Sequence, residues 1–139
     1  FENNDNVTCV NKGVWKEDSK MKLYFHSEFD GNNIPWSVGS SIIKEKGNVN
    51  TDNYTEVDLI DLSEFINGLN SPIKVLKIDI EGAEIEVLNK LIDTGQYENI
   101  GKILVETHET KITTQVEELK TLKYRIKELG IRNINLNWL

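Results

Sequence analysis

The sequence predicts an α/β domain of doubly wound character on a mostly parallel sheet, and three observations carry that prediction. After Pro72, β-type apolar runs alternate with helical apolar stripes, which implies parallel strands joined by right-handed crossovers. The 139 residues suit one domain, and 38% hydrophobic with 28% charged content is ordinary for a fold with a real core. The longest apolar run, Ile103-Leu104-Val105, falls far short of the roughly 20 residues that span a bilayer. No membrane span is predicted.

The first part, residues 1–71, is strand-rich. Val7 to Trp15 is β-prone and broken by Asn11-Lys12-Gly13. Lys20 to His26 alternates, with Met21, Leu23 and Phe25 on one face and Lys22, Tyr24 and His26 on the other, the period of a half-buried strand. With Glu17-Asp18-Ser19 as the turn, these two segments predict an antiparallel hairpin. Phe29 to Asn53 reads as a long loop, and loops of that length in a compact domain are usually functional or mobile. Thr55 to Ile60 is a short strand. Asp61 then caps a helix, with Glu64 three residues on and Gly68 past its end.

The second part, residues 72–139, reads βαβαβ. Ile73 to Ile80 is a strand; Ala83, Val87, Leu88, Leu91 and Ile92 form a helical stripe that Gly95 stops. Ile103 to Thr107 is a buried strand. Ile112, Val116, Leu119, Leu122, Ile126 and Leu129 make a second stripe, with Thr114 and Glu117 as a capping box and Gly130 at its end. Ile131 to Leu139 supplies the last strand.

Charge narrows the partners. Lys and Arg number 16 and Asp and Glu 23, a formal charge of −7, so the basic footprint of a nucleic-acid binder is missing. Cys9 is the only cysteine, which excludes an internal disulfide and predicts a small core residue. With no leader-like segment at Phe1-Glu2-Asn3-Asn4, a cytoplasmic protein is expected. That start runs straight into a strand-like segment, as a cut through a larger protein does.

Parallel sheets bind ligands at the carboxyl ends of their strands. That rule selects Lys77-Ile78-Asp79-Ile80-Glu81-Gly82-Ala83-Glu84 and Glu106-Thr107-His108-Glu109. On neighbouring strands about 4.8 Å apart, these ends bring acids and an imidazole into one crevice. Plainer readings stand beside this one. Glu81 and Glu84 open a helix, where the dipole favours acids. Gly82 relieves crowding at a tight turn. Lys77 can snorkel from its strand. His26 and the three tryptophans read as structural, although Trp36, in the long loop, is placed to touch a substrate. Asp79 has no such convenient duty and ranks first among the candidates.

At these residues the sequence resembles a known family. Val75 to Glu84, followed by Val87-Leu88, is similar to the signature of the FkbM family of methyltransferases. Asn11 to Trp15, Val38-Gly39-Ser40-Ser41, Val57 to Leu62, Glu106 to Glu109 and Asn133 to Trp138 resemble further family segments in order. The resemblance implies a Rossmann-like, class I methyltransferase fold and transfer of a methyl group from S-adenosylmethionine to a hydroxyl of a small molecule, sugar or glycan. It implies catalytic roles for Asp79, Glu81 and His108, and cofactor contacts from Asn11, Lys12, Gly13 and Asp79. Trp36, Ser40, Ser41 and Glu106 are its substrate-side candidates. A divalent cation on Asp79, Glu81 and Glu106 is compatible with hard oxygen ligands but is not required.

One departure matters. The glycine-rich turn after a first strand, and the acid ending a second, are missing. The glycines before Pro72 are Gly13, Gly31, Gly39, Gly47 and Gly68, and no two form G-x-G. The chain therefore resembles the C-terminal two-thirds of a catalytic domain, with the hairpin as an insertion. Two other readings of the same residues remain: a metal-dependent phosphohydrolase with His108 as acid, for which no phosphate cradle is evident, and a truncated, non-catalytic binding domain.

Overall fold

The computed structural model describes residues 6–32 and 37–138. Nine strands and helices are named in chain order: β1 (Gly13–Trp15), β2 (Ser19–His26), β3 (Val49–Asp61), α1 (Leu62–Asn67), β4 (Ile73–Ile78), α2 (Glu84–Asp93), β5 (Ile100–Val105), α3 (Gln115–Glu128) and β6 (Ile134–Asn135). A 3-10 turn, Gln96–Asn99, links α2 to β5.

The strands form two sheets of three, not one continuous sheet. The first is mixed, in the order β1-β3-β2. Its β1 runs parallel to β3, and β2 runs antiparallel to β3. The expected hairpin between the first two strand segments is therefore wrong. β2 pairs instead with the 13-residue β3, from Ser19↔Leu59 to His26↔Val49, across the long loop. The first segment is extended only at Gly13–Trp15; Val7 to Val10 are exposed, and so is Cys9, which is not a core residue. No strand carries Cys9 inward, so its apolar neighbours have nothing to pack on.

The second sheet is all parallel, in the order β4-β5-β6. Strands that advance in one direction through right-handed crossovers put their helices on the same face, and α2 and α3 do pack on each other. The α2 stripe is buried as its spacing predicts, with Leu88 and Leu91 fully enclosed. In α3, Leu119 and Leu122 point inward, whereas Val116 and, just past the helix end, Leu129 are exposed. The expected Thr114 cap bond is absent; Thr114 has helical φ and ψ, so its hydroxyl is not turned back to the first free N–H groups. Asp61 behaves as predicted, accepting from the N–H groups of Ser63 and Glu64.

One apolar core joins the two sheets, running from Trp15, Leu59, Leu62 and Ile66 to Ile78, Leu88, Ile103 and Leu122. That shared core holds the carboxyl end of β4 against the loop between β2 and β3. No described helix is long and apolar enough to cross a membrane.

Candidate active site

β4 ends at Ile78, and the chain then makes a tight turn into α2. Two consecutive residues of that turn have positive φ: Glu81 at 57° and Gly82 at 115°. At Gly82 the reason is spatial as well as torsional. A Cβ there would lie 2.3 Å from Ile112 Cδ1 and 3.3 Å from Ile43 Cγ1. Glu81 is different, because a non-glycine residue in the left-handed region costs free energy and persists only where its surroundings hold it.

Those surroundings are specific. Ser41 Oγ donates to the Glu81 carbonyl at 2.6 Å and accepts from Ile43 N–H at 2.9 Å. Lys46 Nζ donates to Glu81 Oε2 at 2.6 Å and to the Gly39 carbonyl. The Lys46 side chain is 0% exposed. Gln115 Nε2 donates to the Gly82 carbonyl at 2.6 Å. Loop, turn and α3 thus converge on two residues.

Glu84 opens α2 but is almost completely buried. Its carboxylate accepts from Ile80 N–H at 3.0 Å and from Gly82 N–H at 2.9 Å, and it meets His108 Nδ1 at 3.0 Å. An ionised carboxylate only accepts, so Nδ1 carries the proton and Nε2 is turned the other way. There Nε2 lies 3.2 Å from Glu81 Oε2 and 4.0 Å from Asp79 Oδ1. Burial disfavours the imidazolium, but the hydrogen bond to Glu84 and the charges of Glu84 and Glu81 outweigh it against the opposing Lys111. The His108 pKa therefore stands above the usual 6.5. Lys77 Nζ holds Asp79 Oδ2 at 3.2 Å from the exposed side and lies over the Trp138 ring.

Beside this cluster is a cleft of about 540 Å³, within the roughly 300–1,000 Å³ of small-molecule sites. Asn11, Lys12, Gly13, Ser40, Ser41, Asp79 and Glu81 all line it, so residues singled out from three separate segments meet on one surface. Glu56 and Asp58 of β3 add to its acidic character. His108 stands behind Asp79 and Glu81, not on the lining. Glu106 is not in the cluster. Its N–H donates to the Ile78 carbonyl, and the three donors that come within 4.8 Å of one another are Asp79, Glu81 and His108. Trp36 lies outside the described residues. The sequence gives no sign of Lys46, of the Glu84–His108 contact or of Gln115.

Acids and an imidazole at the carboxyl ends of neighbouring parallel strands, opening on a cleft, make up the site of an α/β enzyme. The chain matches the model of the Methyltransferase FkbM domain over residues 2–132 and belongs to that family. It is a methyltransferase. No curated protein and no solved structure matches it significantly.

Proposed function

We propose that the protein is an S-adenosylmethionine-dependent O-methyltransferase acting on a hydroxyl of a small molecule or glycan. The observation that carries this reading is the cleft. It unites the Asn11–Gly13 segment, the Ser40-Ser41 turn and the Asp79–Glu81 turn, the last backed by His108. The family match favours it over a phosphohydrolase or a purely binding module. The parallel β4-β5-β6 sheet, with α2 and α3 in the same core, supports a Rossmann-like scaffold.

The lining fits the proposed methyl donor by size and by charge. Glu56, Asp58, Asp79 and Glu81 against Lys12 make a wall suited to a cationic ligand rich in hydroxyls. S-adenosylmethionine, when bound, supplies an electrophilic methyl carbon on a cationic sulfur. Asn11 to Gly13 would hold the adenine side, and Asp79 would face the transferred methyl group. Ser40 and Ser41 flank the acceptor. Glu81 orients the acceptor hydroxyl, and His108 Nε2, 3.2 Å behind it, takes up the proton. Transfer to the acceptor oxygen would leave the carbon–sulfur bonding pair on the donor's sulfur, so no further group would be needed to take it up. The protein's contribution is alignment and removal of one proton. The three donors Asp79, Glu81 and His108 have the spacing of a divalent-cation site, but this chemistry needs no metal.

The test is transfer of a labelled methyl group from S-adenosylmethionine to a panel of hydroxylated small molecules and glycans, with calorimetry of donor binding. Acid-stable, ether-linked label in an acceptor is expected. Label on nitrogen, sulfur or carbon and on no hydroxyl, or a folded protein that carries a glycine-rich turn as well and still binds no donor, overturns the reading.

A further inference from the structure

The long loop after β2 reaches the site through a buried cation, and its position bears on how the site handles its own charge. Asp79, Glu81 and Glu84 place three carboxylates within six residues, and Glu84 is spent on His108 and two backbone N–H groups. Asp79, Glu81 and His108 offer three ligand atoms within 4.8 Å of one another, a spacing that a divalent ion can use. Glu81 Oε2, however, already accepts from Lys46 Nζ at 2.6 Å. An ion at an ordinary metal–oxygen distance of about 2.2 Å from that oxygen would stand no more than roughly 5 Å from the ammonium, close enough for the two cations to repel. The ammonium has no alternative position in solvent, because the whole side chain is enclosed and Gly39 O takes a second of its protons. The same residue it grips is the one held in the left-handed conformation.

We propose that Lys46 is the resident cation of this site, a positioning residue whose ammonium takes the charge role of a divalent ion and fixes Glu81 in its left-handed conformation beside His108. Lys46 thereby keeps the Glu81 carboxylate oriented and closed to metals. The charge and geometry argument does not depend on which acceptor is methylated. The activity arm of its test rests on the methyltransferase reading; the binding arm does not.

The test is titration with Mn²⁺, followed by electron paramagnetic resonance, of the wild-type chain, Lys46→Met and the double variant Lys46→Met/Glu81→Gln. Methionine fills nearly the same space without charge. The wild type is expected to bind Mn²⁺ at least tenfold more weakly than Lys46→Met, and Glu81→Gln is expected to abolish the gain. In transfer assays, Lys46→Met should lower kcat with little change in the KM for S-adenosylmethionine. Mn²⁺ should restore part of that kcat in the variant and not in the wild type, which loss of packing alone does not produce. Should Lys46→Met fail to fold, Lys46→Gln, which retains a donor for Gly39 O, carries the same titration. Equal Mn²⁺ affinity in wild type and variant overturns the proposal, as does a gain that survives Glu81→Gln. A wild type without transfer activity would count against the function while leaving the Mn²⁺ comparison to decide the role of Lys46.

Discussion

The turn 79–84 and the loop 37–48 form adjoining walls of one cleft, and they are secured by different physics. The turn is tied from inside: buried Glu84 gathers two backbone N–H groups and an imidazole, and Gly82 allows the chain to pass Ile112. The loop has little regular structure of its own; backbone bonds tie Ser41 to Tyr24 and Gly47 to Lys111, and single side-chain bonds tie it to the turn, through Ser41 and Lys46 on Glu81. The difference teaches where change is tolerated. A turn built on buried charge fails as a unit, whereas a loop held by single bonds loses them one at a time.

The largest effect is expected at the imidazole that faces the acids on the turn. His108→Gln keeps a polar side chain but removes the base, and methyl transfer should fall by about 10²–10⁴-fold. Proton uptake needs neutral imidazole, and the pKa is raised, so wild-type activity should climb with pH above about 6.5. Stability runs the opposite way. A raised folded-state pKa gives a contribution that is complete below the unfolded value near 6.5 and is lost as pH rises through the folded value. Urea unfolding of both proteins across pH 5–9 checks this. A wild-type advantage that does not fade with rising pH would show that His108 is not charged in the folded state.

Next comes the group that sets the imidazole. Glu84→Ala strands His108 Nδ1 and the N–H groups of Ile80 and Gly82 in an enclosed place, so a loss of about 3–5 kcal/mol is expected in chemical denaturation. A cost below about 1 kcal/mol, the size of a helix-dipole effect, would reduce Glu84 to an acid favouring the start of α2.

Much of this turn was legible from sequence, because strand, acids, glycine and helical stripe lie within ten consecutive residues. His108 could be found for the same reason: the end of a buried strand points to it. The loop's contribution was not legible. Lys46 and Ser41 reach Glu81 across 35 and 40 residues, and nothing in Ile42-Ile43-Lys44-Glu45-Lys46 separates the enclosed lysine from the exposed Lys44. The first sheet misled for a related reason. The start of β3, Val49-Asn50-Thr51-Asp52-Asn53, is rich in residues that disfavour strands, and of these five only Val49 has a partner in the β2 register, across an irregularity between Tyr24 and His26. Local turn signals at Glu17-Asp18-Ser19 therefore suggested the wrong partner.

Gly82→Ala separates the turn's geometry from its charges. Its φ of 115° strains any side chain, and the added Cβ meets Ile112 Cδ1 at 2.3 Å and Ile43 beyond. Both must move, at a cost of about 2 kcal/mol read as a lowered denaturation midpoint. Every charge in the cluster is left in place, so the His108 titration followed by NMR should shift little if the turn bends as one body. A large shift would mean that the acids are held by the exact path of the backbone at Gly82.

The smallest effect is expected on the loop side. Ser41 is nearly fully buried, and its hydroxyl serves two groups at once, donating to the Glu81 carbonyl and accepting from Ile43 N–H. Ser41→Ala leaves both without that partner but opens a space no larger than one oxygen. About 1 kcal/mol is the ordinary net worth of such a bond, and the Lys46 clamp on the same residue remains. A stability loss near that value is expected, with methyl transfer lowered less than by Lys46→Met, since the carboxylate keeps its cation while the backbone behind it loosens. If Ser41→Ala instead equals Glu84→Ala in cost, the loop and the turn are one cooperative unit. The bond to the Glu81 carbonyl would then be what maintains the left-handed residue, and the contrast between the two walls would disappear.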